Sequence, residues 1–169
     1  AADIYYRRTL WLIAFGFVHA YLIWAGDILF HYGVVGLLLF PLRRLSARAL
    51  ITTGMVLLLL HSLQGIGAGI GIGEMRQKAL AAATVPTPDA EQKKAIQEWE
   101  QLALMFEPPR EEVEKQIKAH RGGWFDVLPV RAAEAALMQF TLFFQFLFLD
   151  VLCMLILGMG FAKAGLFDA

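Results

Sequence analysis

Apolar residues gather into four long runs, 9–24, 28–42, 50–73 and 133–162, with short polar breaks except for one extended mixed stretch before the last. Crossing the hydrocarbon core of a bilayer takes about 20 residues of helix, so all four runs read as transmembrane helices. The first two are somewhat short for that task. Unless Arg7, Arg8, Arg43 and Arg44 at their ends snorkel outward, the Ala25-Gly26-Asp27 turn between them is expected to sit below the membrane surface. Polar backbone at that depth is tolerated only beside protein or a water-filled cavity, so the turn marks a recessed site. The expected fold is all-α, a polytopic transmembrane helix bundle. Residues 1–73 supply spans at 9–24, 28–42 and 50–73, residues 74–131 an amphipathic helical insertion, and residues 132–169 one long span and the chain end.

The third run ends in "GIGAGIGIG", residues 65–73. At helical spacing Gly65, Gly69 and Gly73 form two overlapping small-xxx-small steps, the pattern that lets a neighbouring membrane helix approach closely. A phosphate loop is a poor fit, because no strand precedes the run and no Gly-Lys-Ser/Thr follows it. In the insertion, Thr87 is placed to cap a helix with Pro88 at its first position and Asp89 and Glu91 in its first turn. Ile96, Trp99, Leu102, Ala103 and Phe106 then share one face, and Glu107-Pro108-Pro109 stops the helix. A second short helix carries Val113 and Ile117 on one face, and Gly122-Gly123 ends it. Both are too polar to span and are expected to lie on the membrane surface or cap the bundle.

Composition agrees with the pattern: 58% of the 169 residues are hydrophobic and 18% charged, a departure from soluble domains in the direction of an integral membrane protein. Fifteen basic and fifteen acidic residues cancel, which argues against a nucleic-acid partner and leaves membrane lipids and further transmembrane helices, of this or other chains, as the expected partners. The single cysteine, Cys153, excludes an intrachain disulfide and a CxxC motif. No cleavable signal peptide is expected, since the chain opens on Ala1-Ala2-Asp3; the lack of an initiator Met suits an internal piece of a longer polypeptide. Charge orients the spans: Arg7, Arg8, Arg43, Arg44, Arg48 and Lys163 flank one side, whereas the Ala25–Asp27 turn has no basic residue. The positive-inside rule puts the arginines in the cytoplasm and the turn, with residues 74–131, on the other face.

Three stretches carry a family resemblance. "RRTLWLIAFGFVHAYLIWAGDILFHYGVVGLLLFPLRRLS" resembles the hallmark segment of the DUF418 (YeiB-type) bacterial membrane family, with its Gly-x-x-His, Gly-Asp-Ile-Leu and Leu-Arg-Arg-Leu-Ser elements. "HRGGWFDVLPVRA" resembles the family's Tyr-Arg-Gly-Gly-Trp/Tyr motif, with His120 in place of the usual Tyr, and "LILGMGFAKAGLF" its Leu-Gly-Met-x-Leu-x-Lys-x-Gly helix end. The resemblance reaches from about residue 7 to 167 and covers the middle of such a protein, without the amino-terminal Leu-Asp-x-x-Arg-Gly helix or the later spans. It implies a multi-pass protein of the bacterial inner membrane. It further implies a distant relation to membrane acyltransferases of the heparan-glucosaminide N-acetyltransferase type, with acyl-CoA as donor and no tightly bound cofactor.

Acyl transfer needs a base for the acceptor proton and donors for an oxyanion. His19, an intramembrane histidine, is the candidate base; a plain interhelical hydrogen bond, to a carbonyl or to Gln64, is the alternative. Asp27 can cap the second helix and also orient His19 or bind a cationic acceptor. Gly26, in the same turn, Arg121, which could pair with Asp27 or clamp an anion, and Trp124, an interfacial anchor, complete the expected substrate side. Asp150 in the last run is a functional acid or the partner of a cation, because ionisable residues at membrane depth face an interior or a cavity. His31 reads as interfacial, and His19, His31 and Asp27 match no metal-site spacing. Two other classes fit the same residues: a transporter with His19, Asp27 and Asp150 along a polar path, and a non-enzymatic accessory subunit of a larger membrane complex.

Overall fold

The computed structural model describes residues 2–168. Every regular element among them is helical: α1 (Ala2–Leu22), α2 (Leu29–Leu42), α3 (Ala47–Ala83), α4 (Ala90–Phe106), α5 (Arg110–Arg121), and a continuous helix, Trp124–Lys163. That last helix has three parts, α6 (Trp124–Ala136), a π-helical segment (Leu137–Leu147) and α7 (Phe148–Lys163). The described residues divide into two compact units, residues 2–61 with 122–168, and residues 62–121.

In the first unit α1 and α2 form an antiparallel hairpin held at van der Waals distance by small residues. A methyl group on Gly16 would run into the backbone of Phe30, and one on Gly33 would lie 3.0 Å from the backbone nitrogen of Ile13. At the far end Tyr5 donates its hydroxyl to the Gly36 carbonyl at 2.7 Å. The start of α3 packs on α7 in the same way, with Gly54 against Leu157 and Gly160 against Ile51. Lys163 closes that end by donating to the carbonyls of Arg43 and Leu45, a cation placed on the carbonyl end of α2 where the helix dipole favours it. Beyond it Gly165 adopts φ +76°. Leu166 N–H then reaches Phe161 O and Gly165 N–H reaches Ala162 O, the paired bonds that close a helix with glycine in the left-handed region.

In the second unit α4 and α5 are amphiphilic helices stitched by exposed pairs such as Arg110–Glu114 at 3.0 Å. The cap of α4 differs from expectation. Asp89, not Thr87, caps the helix: its carboxylate accepts from Gln92 N–H at 2.8 Å while the Gln92 side chain accepts from Asp89 N–H at 3.0 Å. This reciprocal pair satisfies two free donors at once; with Thr87 as cap the third residue on would be Ala90, which has no side-chain acceptor to return the bond.

Two helices, Ala47–Ala83 and Trp124–Lys163, are long and apolar enough to cross a membrane, and no residue of the most apolar 18-residue window of the first is buried. A core helix of a soluble protein would be mostly buried. Instead Leu59, Leu60, Ile66 and Ile70 of α3 and Phe140, Phe144 and Phe146 of the last helix lie exposed, apolar side chains on the outside of each helix as lipid or a partner would require. Helix α1 carries Arg7, Arg8 and His19 within its 21 residues, and α2 has only 14.

Candidate functional site

The site grows from the Gly16 crossing. With no side chain at position 16, the backbone of α1 meets the first turn of α2, and His19, a little under one turn further along α1, comes level with Asp27. His19 Nδ1 lies 3.0 Å from Asp27 Oδ1. The other carboxylate oxygen accepts from Phe30 N–H at 2.9 Å. Ile28 already has helical angles, φ −106° and ψ −16°, so this is the N-cap to third-residue bond with Asp27 as the cap. One carboxylate, 1% exposed against 34% for the His19 side chain, thus both starts α2 and fixes the imidazole.

The bond dictates the tautomer. A carboxylate accepts only, so the neutral ring carries its proton on Nδ1 and leaves Nε2 as the basic nitrogen. That is the geometry of a general base held by an orienting acid.

The turn that carries Asp27 is pinned from the distant helix α6. Trp124 Nε1 donates to Leu22 O at 3.2 Å, and Arg131 Nη1 donates to Ile23 O at 2.6 Å. The guanidinium therefore sits on the carbonyl end of α1, where a cation is favoured. Ala20, Ala25 and Ala135 form the small buried cluster beneath these contacts, and their short side chains let α6 come close. Upstream, Asp126 accepts from Gly123 N–H at 2.7 Å, and its carboxyl oxygen would lie 2.5 Å from a Cβ at Gly122.

Of the residues singled out from sequence, His19, Asp27, Gly26 and Trp124 gather at this end of the hairpin. Arg121 ends α5 in the other unit with an exposed side chain, and both oxygens of Asp27 are engaged by His19 and Phe30. Asp150 lies in the first turn of α7, its carbonyl accepting from Cys153 Sγ; its carboxylate forms no ion pair among the described residues. His31 corrects its interfacial reading: it is 6% exposed, with its ring centred 4.5 Å from that of Phe143. The π-helical segment covers it, and that long-range packing leaves no trace in local pattern. Arg131 is the residue that sequence reasoning missed, although a lone cation in "VLPVRAAEAAL" stands out from its apolar neighbours. Among the described residues no three His, Cys, Asp or Glu side chains are placed to share a metal ion.

No protein-family model and no solved structure matches the chain. Two curated bacterial proteins are similar to parts of it. The uncharacterized protein YxaH of Bacillus subtilis (strain 168) is 40% identical over 60 residues, which make up 36% of this chain and 15% of YxaH. The uncharacterized protein YeiB of Escherichia coli (strain K12) is 40% identical over 86 residues, 50% of this chain and 20% of YeiB. The matched stretches span a fifth or less of these relatives. The chain is therefore YeiB-like over half its length, and together with its two long, lipid-compatible helices this points to a membrane protein.

Proposed function

We propose that the chain is part of a multi-pass inner-membrane acyltransferase of the YeiB, DUF418 type, with His19 as general base and Asp27 as its orienting carboxylate. In this reading α1 and α2 cross the membrane as a short hairpin beside the two longer spans. Their turn opens on the non-cytoplasmic face, and the arginine-bearing ends lie in the cytoplasm. The single observation that carries the proposal is the 3.0 Å bond between His19 and a buried Asp27 that leaves Nε2 free. The donor is the thioester of an acyl-CoA and the acceptor a hydroxyl or amine. As the acceptor oxygen or nitrogen bonds to the thioester carbonyl carbon, its proton passes to His19 Nε2, and the Asp27 carboxylate stabilises the imidazolium. Collapse of the tetrahedral adduct breaks the C–S bond, and the departing thiolate takes the proton back. Gly26, Trp124 and Asp150 are assigned to the substrate side, and the first and second of these adjoin the dyad.

Membranes containing the chain, incubated with radiolabelled acetyl-CoA, test the proposal through the release of free CoA thiol and the label transferred. Removing a general base typically costs about 10²- to 10⁴-fold, so His19→Ala should reduce transfer by that factor while the protein still inserts. Undiminished transfer in His19→Ala would overturn the assignment.

A second reading, solute or proton transport, draws on a separate observation: polar atoms of His31 and Gln139 are buried between apolar helices without partners. Polar side chains in such positions mark conduction paths in transporters. Proton-linked flux that needs no acyl-CoA and is lost in His31→Phe would favour it.

A further inference from the structure

Behind the dyad, α2 and the π-helical segment enclose a group of polar atoms with nothing to bond. His31 Nε2, Gln139 Nε2 and Gln139 Oε1 are buried and unpartnered; Gln139 is 0% exposed, and so is Phe143 one turn further on. Phe143 packs on the His31 ring, and the carbonyls of Asp27 and Met138 lie against that ring. Gln139 follows Met138 directly on the π-helical segment, which touches α2. The apolar surround is Phe30, Phe140 and Phe143. Neither lipid nor a further helix can reach side chains this buried.

Buried donors and acceptors in folded proteins are almost always satisfied, by protein or by ordered water. The segment's own bonds run i to i+5, as from Phe148 N–H to Phe143 O, and the backbone carbonyls near this region face the His31 ring, so the Gln139 amide is the group left without a partner. Such wide turns occur largely at functional positions. We propose that His31 and Gln139 form a buried hydration site holding at least two water molecules. The oxygen and nitrogen of one amide diverge, so a single water cannot serve both; one water bridges Gln139 to His31 Nε2 and a second completes the amide. The ligand class is water or the hydrated proton, and the site adjoins the backbone of Asp27 without depending on the acyl-transfer reading.

Radiolytic hydroxyl-radical footprinting of the full chain in lipid nanodiscs tests this, since radicals formed from a bound water label the side chains that touch it. Phe143 should be oxidised several-fold faster than Phe146, which is exposed to lipid on the same segment, and in H₂¹⁸O the added oxygen should carry the heavy isotope. Gln139→Leu should bring Phe143 down to the rate of Phe146. A wild-type Phe143 labelled no faster than Phe146 would overturn the site, as would labelling that persists in a folded Gln139→Leu protein. Should that variant not fold, the wild-type comparison decides alone, supported by His31→Gln, which keeps a polar partner and should keep the label.

Discussion

Replacing Gly16 with alanine is the most revealing single change. The new methyl carbon would lie 2.8 Å from Phe30 Cα and 2.8 Å from Asp27 Oδ2, and closer still to the Phe30 nitrogen. Carbon atoms in contact sit about 3.5–4.0 Å apart, so α1 and α2 must separate by about 1 Å. Backbone lies on the receiving side, which leaves no flexible side chain to give way. The same displacement stretches the 3.0 Å His19–Asp27 bond to about 4 Å, beyond hydrogen-bonding range. Overpacking of this kind costs about 1–3 kcal/mol. For a chain of 169 residues each kcal/mol moves the melting temperature by roughly 2–4 °C, so a loss of about 2–12 °C is expected. Cys153, the sole cysteine and fully buried, supplies the assay: a thiol-reactive fluorogenic maleimide reports the temperature at which α7 opens. Gly65→Ala is the control. Nothing lies within 4 Å of a methyl placed there, and alanine exceeds glycine in helix propensity by about 1 kcal/mol, so this variant should melt at or slightly above the wild type. A Gly16→Ala protein that melts with the wild type, or a Gly65→Ala protein that falls as far, would refute the close-crossing argument.

Other perturbations test the supports. Arg131→Met removes the guanidinium from Ile23 O; at this exposed position the loss is about 1 kcal/mol, read as earlier Cys153 labelling, and Arg131→Lys should recover part of it. Asp89→Ala should cost about 0.5–2 kcal/mol of local α4 stability, seen as faster amide exchange in the first turn of that helix, whereas Thr87→Ala should change nothing there.

Much of the hairpin is legible in local sequence, because the information is local. The apolar runs, the Arg-rich ends and an aspartate just ahead of Ile28 suffice to place α2 and its cap. Helix ends are less accessible. The apolar run ends at Gly73 and residues 74–131 read as a separate helical insertion, whereas "EMRQKALAAA", rich in strong helix formers, carries α3 on to Ala83, because propensity and hydrophobicity are separate properties. Likewise the last apolar run begins at residue 133, while the helix starts at Trp124 and tolerates Pro129 in its second turn. The Gln92 three residues on is the local signal that favours Asp89 over Thr87 as a cap. What no local pattern could supply is the set of contacts across a hundred residues, Trp124 to Leu22, Arg131 to Ile23 and Phe143 over His31. These turn a capped helix start into a buttressed dyad. The glycines at 65, 69 and 73 read as a packing face, and within the described residues no neighbour occupies it.

The central claim is that Asp27 acts through His19 rather than only as a helix cap, and Asp27→Asn separates the two. Asparagine caps a helix about as well as aspartate, and its side-chain oxygen can still accept from Phe30 N–H. It cannot stabilise an imidazolium as a carboxylate does. Acetyl transfer from labelled acetyl-CoA and the Cys153 melting temperature, measured on the same preparation, decide between the two roles. Transfer should fall at least about 100-fold with melting within a few degrees of wild type; full transfer at unchanged melting would leave Asp27 a helix cap only.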